Sequence, residues 1–413
     1  MSGSNSLTMT PATDRSPADS IPPTGPRSLS VPIGLTGAYL FMLLVGVMVL
    51  RLPGATIRGN EMSFERAVFT SINAATLTGF QQAVALDDYT PRGQACVMAL
   101  MCGGMLFVLV LGGMGLTRAV RLPYSDGQVI RATLVTSVFL IACGTAVLAE
   151  RGRGLVSSAT QALSAFSNSG LHLGRLPGAA DWRTHASLLP LIFLGGLSIP
   201  VLMELGDSIF RRRRLSTHTL TVLSLSAALY LAGLILLFPW SGGVDGTTRV
   251  ATASALSLDA RTCGLSFVTI GSLPRATQWL LIVFMMIGAA PAGTAGGMKV
   301  TALFHLGRGT RRALARERGL RITGVAAVWI VSYLALCFLT LIGLLATLPE
   351  LPADRLVFLS VSAISNVGLS HDPVSVTGGG LAILCGAMLL GRLAPLGMLW
   401  WVVMTTDDAD VAV

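Results

Sequence analysis

The chain has 413 residues, 52% of them hydrophobic and only 12% charged, with a formal net charge of +9. Soluble domains carry about 25% charged residues, so a chain this long and this apolar cannot coat a surface that faces water. Soluble enzymes, nucleic-acid-binding domains and disordered proteins are disfavoured together, and the mean hydropathy of +0.70 points to a surface that faces lipid.

The basic excess does not form the stripe that tracks a nucleic-acid groove. Lys299 is the only lysine, and the arginine bias reads as genome composition. Cys96, Cys102, Cys143, Cys263, Cys337 and Cys385 lie mostly in apolar runs with no C-x-x-C and no metal-ligand spacing to His, so disulfides and zinc are not expected.

Residues 1–30 are rich in Ser, Pro and Thr and lack an apolar run, which predicts a disordered tail rather than a signal peptide. Eight apolar stretches then follow, each of the roughly 20 residues that cross a bilayer. They lie near 31–52, 94–117, 129–149, 186–204, 219–239, 276–298, 323–347 and 379–404.

Arginine concentrates in every second connection: Arg118, Arg121 and Arg131 after the second span, Arg211 to Arg214 after the fourth, and Arg308, Arg311, Arg312, Arg316, Arg318 and Arg321 after the sixth. By the positive-inside rule these loops and both termini are cytoplasmic. The other loops mix signs, as in Glu61 with Arg66, Asp181 with Arg183, and Asp354 with Arg355.

Each outer connection is about 30 to 45 residues, long for a connector, and holds a half-apolar segment too short to span. Such segments read as re-entrant helices, whose backbone is tolerated at membrane depth only when buried in protein or lining a wet cavity. Their ends repeat. They run Asn73 to Gly79-Phe80, Ser164 to Gly170-Leu171, Leu258 to Gly264-Leu265 and Ser362 to Gly368-Leu369, with successive glycines 91, 94 and 104 residues apart.

A recurring glycine permits positive φ and close backbone approach. Four such turns around one axis would present rings of carbonyl oxygens able to replace the hydration shell of a monovalent cation. The candidate filter is Thr76-Leu77-Thr78-Gly79, Ser167-Asn168-Ser169-Gly170, Arg261-Thr262-Cys263-Gly264 and Ser365-Asn366-Val367-Gly368. Hydroxyls and amides brace it, and apolar Cys263 and Val367 suit carbonyl-lined turns. Asp259 either pairs with Arg261 as a brace, the favoured reading, or adds a cation-attracting charge at the mouth. His172 and His371 read as solvated residues of the outer mouth.

The sixth stretch carries Gly288, Pro291, Gly293, Gly296 and Gly297 within ten residues. Gly costs about 1 kcal/mol and Pro about 3 kcal/mol in a helix interior, which predicts a break. Met298 between Gly297 and Lys299 spoils a phosphate-binding G-K pair. Arg392 lies inside the last span, where a charge costs at least about 2.5–3.5 kcal/mol; it must face a polar interior or snorkel to the cytoplasm.

These turns resemble those of the Trk/Ktr/HKT potassium transporter superfamily, on its TrkH/KtrB-like membrane-subunit side, over residues 31–404. Gly195 to Pro200, Arg211 to His218, Gly288 to Lys299 and Gly391 to Leu396 carry further similarity. The resemblance implies an all-α polytopic membrane protein with four parallel membrane–pore loop–membrane repeats around a pseudo-fourfold pore. After the tail, the repeats are 31–122, 123–210, 211–305 and 306–413. It implies a gate loop at 288–299, including Gly288, Pro291, Gly293, Thr294, Gly296 and Gly297, held by Arg392. Lys299 is either a gate contact or a positive-inside anchor. A Ser usually stands at the position of Asp259 in the family.

The implied function is K⁺ uptake across the inner (cytoplasmic) membrane, passive or ion-coupled, with Na⁺ a candidate coupling ion and no cofactor. The implied partners are a second copy in a homodimer, a cytosolic TrkA/KtrA-like nucleotide-binding ring and membrane lipid, with no nucleic acid. The basic loops 211–214 and 308–321 are docking surfaces for the ring or plain topology anchors. The competing class is an alternating-access carrier of another small cation or solute, which predicts paired broken helices in inverted halves; only one broken span is expected here. A membrane enzyme is not expected, because the spans lack a nucleophile turn and any His–carboxylate cluster.

Overall fold

The computed structural model describes residues 29–56, 62–149, 154–241, 245–316 and 321–405. The predicted tail lies outside them except for its last two residues, as do Glu61 and Arg318. The described residues form fourteen α-helices and no strand. Their order repeats a unit: a long helix, a short helix, a turn, and a helix or helix pair leading back.

The first unit is α1 (Ser30–Arg51), α2 (Phe64–Ala75) and α3 (Pro91–Val120). The second is α4 (Asp126–Leu148), α5 (Leu155–Ser167) and the pair α6 (Leu189–Gly196) and α7 (Ile199–Arg211). The third is α8 (Thr217–Leu237), α9 (Gly246–Thr262) and the pair α10 (Arg275–Met286) and α11 (Val300–Leu314). The fourth is α12 (Arg321–Thr347), α13 (Ala353–Ile364) and α14 (Gly378–Thr405).

Local chemistry starts many of these helices. Ser63, Thr90, Ser216 and Asp245 each cap a helix by accepting a backbone N–H with the side chain, and Ser125 with Gln128 forms a reciprocal capping box. Each cap satisfies one of the donors a helix start leaves unpaired.

Burial separates two shells. Only 22% of the most apolar stretch is buried in α1, α4 and α8 and 28% in α12, against 56% in α3 and 44% in α14. The leading helices therefore turn apolar faces outward, with Phe41, Val138, Phe139, Ile235 and Phe338 all more than half exposed. A surface so apolar is stable against lipid and not against water.

Among the described residues, six helices are long and apolar enough to cross a membrane. The break expected in the sixth span is present between α10 and α11. The fourth, expected to be continuous over 186–204, is also broken: Thr184–Gly196 and Ile199–Arg211 meet at 110°. Gly195-Gly196 weakens the helix, Leu197 turns extended at ψ 151°, and Pro200 starts α7 where its missing N–H costs nothing. The expectation of a single broken span is thereby corrected, and it no longer counts against a carrier.

A second set of glycines places the inner helices. Gly104, Gly195, Gly288 and Gly391 follow the four turn glycines by 23 to 25 residues. A Cβ on Gly104 would collide with the carbonyl oxygen of Ala75, on Gly195 with that of Phe166, and on Gly391 with that of Ile364. Each inner helix thus lies with its backbone directly on the end of a short helix. The third unit differs, because Gly288 meets Gly296 of its own chain segment instead.

These contacts give a paired prediction. Gly104→Ala, Gly195→Ala and Gly391→Ala should each sharply lower the yield of monodisperse protein and its melting temperature in detergent. Gly37→Ala, where a Cβ meets nothing within 4 Å, should be neutral or stabilise by about 0.5–1 kcal/mol.

Candidate ion filter and gate loop

The four turn glycines have φ of +79° (Gly79), +81° (Gly170), +68° (Gly264) and +84° (Gly368), a region L side chains rarely adopt. They also meet one another in a cycle. A Cβ on Gly79 would strike the carbonyl oxygen of Ser169, on Gly170 that of Cys263, on Gly264 that of Val367, and on Gly368 that of Thr78. First unit touches second, second third, third fourth, and fourth first. The cycle closes.

The turns send their N–H groups back into the short helices. Thr78 and Gly79 donate to Asn73 O, Ser169 to Ser164 O, Cys263 and Gly264 to Asp259 O, and Val367 to Ser362 O. In a trans peptide the C=O opposes the N–H, so the linked carbonyls of Leu77, Thr78, Asn168, Thr262, Cys263 and Asn366 face away from the helix ends. None of these six accepts a hydrogen bond from the described residues. Buried carbonyls left free in this way need a polar guest, water or an ion.

Side chains fix the turns. Thr76 Oγ1 donates to Ile72 O at 2.7 Å and lies 2.7 Å from Thr78 Oγ1, which accepts from Asn366 Nδ2 of the fourth unit at 2.9 Å. Asn168 and Asn366 occupy the left-handed region at φ +54° and +48°, as does Leu77 at +58°. Asn tolerates that conformation better than most residues. Asn73 grips the residue after its glycine through both ends of its amide, accepting from Phe80 N and donating to Phe80 O, each at 2.9 Å.

In the third turn Asp259 takes the same part, accepting from Leu265 N at 2.7 Å. This corrects the expected pairing with Arg261. Arg261, 2% exposed, instead donates from Nη2 to Gly288 O at 3.1 Å and from Nη1 to Ser226 O at 3.5 Å. Its side chain leaves the ring of turns. The third turn is also one residue tighter, with α9 running on to Thr262 and the left-handed residue shifted to Ser266, φ +53°.

The segment between α10 and α11 packs against this ring. It closes on itself through Gly288 N to Met298 O and Met298 N to Met286 O, both 2.9 Å. Thr294 ties it to the broken fourth span: its N donates to Gly195 O at 3.1 Å and its Oγ1 to the same oxygen at 2.8 Å. Thr294 Oγ1 also accepts from Asn168 Nδ2 at 2.8 Å. A Cβ on Gly296 would meet Ser365 O, and one on Gly293 would meet Gly196 O. Gly297 adopts φ +70°, and half-buried Pro291 stands at the bend.

Arg392 is 3% exposed. It donates from Nε to Thr76 O at 2.7 Å and from Nη1 to Thr294 O at 2.5 Å. The lone deep charge therefore faces the interior and joins the first turn to the loop. Pro395 lies inside α14, and Nη2 of Arg392 has no partner among the described residues. Lys299 Nζ donates to Ala295 O at 2.6 Å, a contact within the loop.

Outside the ring, staples join the units. Gln81 Nε2 donates to Gly170 O at 3.2 Å, and Gln81 O accepts from Val374 N at 2.7 Å. Arg66 donates to Val374 O and Val376 O at 2.9 and 2.6 Å. Glu65 accepts from Gly378 N at 3.0 Å.

The two histidines expected to be solvated are half-buried and bonded. His172 Nδ1–H donates to Gly174 O at 3.0 Å, while His371 Nε2–H donates to Gln278 Oε1 at 2.9 Å and packs edge-on against Phe358. Burial holds the pKa of each below the ordinary histidine value.

A family model described as "Cation transport protein" (TrkH) matches residues 242–407, the segment with the third and fourth turns, the loop and Arg392. The Bacillus subtilis Ktr system potassium uptake protein B is 25% identical, over 90% of this chain and 92% of that protein. The Enterococcus hirae potassium/sodium uptake protein NtpJ is 26% identical, over 92% and 94%. The chain is a homologue of the Ktr and Trk potassium uptake proteins. The crystal structure of the potassium transporter TrkH from Vibrio parahaemolyticus shares the fold, with TM-score 0.70 over 90% of this chain and 84% of that one at 17% identity. The fold is thus that of an all-helical, multi-pass membrane protein.

Several positions in this homologue escape a reading by turns alone. Gly104, Gly195 and Gly391 were detectable as a second spacing, and Asn73 and Asp259 as a polar residue near the start of each motif. Gln81 and Arg66 carry no local pattern, since their partners are other units.

Two outcomes follow. Alanine at Gly79, Gly264 or Gly368 should cost about 1–2 kcal/mol for the backbone conformation alone, more with the carbonyl collision, read as loss of folded protein in detergent. For the histidines the sign is that of a depressed pKa. The unfolded chain takes up a proton near pH 6.5 and the folded one does not. Their stabilisation is present above about pH 6.5 and is lost as pH falls towards the folded values. The melting temperature of His172→Gln/His371→Gln should fall less between pH 7.5 and 5.5 than that of the wild type.

Proposed function

We propose that the chain is the ion-conducting membrane subunit of a K⁺ uptake system, with one pore per chain. The observation that carries this reading is the closed cycle of four glycine turns, whose free carbonyl oxygens belong to buried backbone. Carbonyl oxygens suit a monovalent cation that must shed its hydration shell. The names of the relatives, potassium uptake proteins and a potassium/sodium uptake protein, support the same cargo. One glycine per turn offers few coordinating layers, so discrimination against Na⁺ or Rb⁺ is modest, and Na⁺ is the candidate coupling ion.

In this reading the segment 288–299 is the gate. It fills the space next to the ring with backbone that the protein itself satisfies, and Arg392 pins it through Thr294 O. A guanidinium buried there also sets an electrostatic barrier to cations until it moves. The positive-inside rule orients the ring outward and the basic loops and termini inward. Arg211 to Arg214 and the arginines of α11 then face the cytosol, where they would meet a homodimeric partner's surroundings and a nucleotide-binding ring.

The two broken spans keep an alternating-access carrier as the second reading, because discontinuous helices are its hallmark. Here the breaks fall in neighbouring units that repeat in parallel, whereas inverted halves would pair them across the fold.

The test is ⁸⁶Rb⁺ flux into proteoliposomes, with K⁺ and Na⁺ as competitors. K⁺ should compete more strongly than Na⁺, and Arg392→Ala should raise flux severalfold at equal reconstitution. Equal competition by both ions would remove the filter reading. Unchanged or lower flux for both Arg392→Ala and deletion of 290–295 would remove the gate. Flux that saturates and requires a counter-ion on the opposite face would favour the carrier.

A further inference from the structure

We infer that Arg261 is a positioning residue that anchors the first residue of the gate loop to the third filter turn, a second arginine clamp alongside Arg392. The inference rests on the reading of 288–299 as a gate. It begins from a comparison within the chain. Two places after the residue whose carbonyl each turn folds back onto (Asn73, Ser164, Asp259 and Ser362) stand Ala75, Phe166, Arg261 and Ile364. The hydroxyl of the following residue bonds close to home in every unit, Thr76 to Ile72 O, Ser167 to Ser164 O, Thr262 to Leu258 O, and Ser365 with Tyr333. Only the third unit carries a long cation.

Its reach matches a gap left by the backbone. In the first, second and fourth units the inner-helix glycine sits directly on the end of the short helix, at Ala75, Phe166 and Ile364. In the third unit the inner helix ends at Met286, and Gly288 folds onto Gly296 instead. The short helix α9 therefore lacks that glycine contact, and Arg261 spans the distance. Nη2 takes Gly288 O and Nη1 takes Ser226 O of α8. A small cavity lies beside it, lined by Ser226, Arg261, Thr262, Ala289, Gly196 and Leu197. Nε has no partner among the described residues.

A cation this deep is costly to bury, and here both of its acceptors are backbone carbonyls. It acts as a rigid fork between three pieces of chain, a geometry guanidinium supplies and ammonium does not. The two clamps then hold the loop at separate points: Arg261 at Gly288, where it begins, and Arg392 at Thr294, in its middle. Each clamp also joins a filter turn, Arg392 through Thr76 O and Arg261 through its own place in α9. Displacing the loop requires both to let go.

The experiment is hydrogen–deuterium exchange with mass spectrometry on the full chain in nanodiscs, beside ⁸⁶Rb⁺ flux and K⁺/Na⁺ competition. The loop amides of Gly288, Ala290, Gly293, Thr294 and Met298 are all hydrogen-bonded and report its closure. Arg261→Gln should speed exchange across 286–298 severalfold, leave α1 and α4 unchanged, and raise flux with the K⁺ preference kept. Arg261→Lys should fall between, since one ammonium cannot serve both carbonyls, and it carries the test if the glutamine variant does not assemble. Unchanged loop exchange in the lysine and glutamine variants would overturn the inference. So would loss of K⁺ preference without faster loop exchange, which would make Arg261 a brace of the filter alone. Faster loop exchange with unchanged flux, together with unchanged flux on deleting 290–295, would keep the anchor and overturn the gate.

Discussion

The structure depends on backbone meeting backbone without an intervening side chain. At Gly79, Gly170, Gly264 and Gly368 the carbonyl of the next unit occupies the space a Cβ would fill, and at Gly104, Gly195 and Gly391 the same holds between inner helix and short helix. Seven positions thus draw a short-helix end and its turn into van der Waals range of neighbours on two sides. The carbonyl oxygens are brought together because nothing bulkier than hydrogen separates the chains that carry them. The apolar outer shell of α1, α4, α8 and α12 holds this arrangement in lipid but does not define it.

Within that frame the third unit departs from the other three, and the departures are connected. Its inner helix is interrupted, so its glycine cannot make the standard contact. Its turn is one residue tighter, Asp259 replaces a neutral polar group, and Arg261 stands where the other units have Ala75, Phe166 and Ile364. The interruption yields the loop at 287–299, and the two arginines that border it are bound to carbonyls rather than carboxylates. Unpaired by acid, each keeps its positive charge near the path assigned to a cation. A neutral side chain could form some of the same hydrogen bonds, but it would bring no charge to the loop.

Much of this was legible in the sequence because the physics is local or periodic. The lipid-facing runs, the four turn glycines and the weakness of the Gly288 to Lys299 stretch all follow from neighbours in the chain. Arg392 was legible as an expense without a visible return, and its acceptors lie 98 and 316 residues away. The fourth span was misread because hydropathy averages over Gly195-Gly196 and Pro200, which together break the helix without lowering its apolar content. Asp259 and Arg261 were misread for a related reason: their spacing of two residues in α9 turns them to different sides of the helix, so proximity in sequence did not become contact. The two histidines looked solvated because they stand just after the second and fourth turn glycines, although His172 lies between the buried Leu171 and Leu173.

The staples outside the ring of turns tie the first unit to the last. Arg66, Glu65 and Gln81 bond to residues between Val374 and Gly378, about three hundred positions later. During synthesis, therefore, the first turn must wait in the membrane until nearly the whole chain has been made. Its free carbonyls have no neighbour on one side until the fourth unit arrives. The ring of turns is finished by its last segment, and a ribosome that stalls before that point leaves an open arc with exposed backbone rather than a smaller ring.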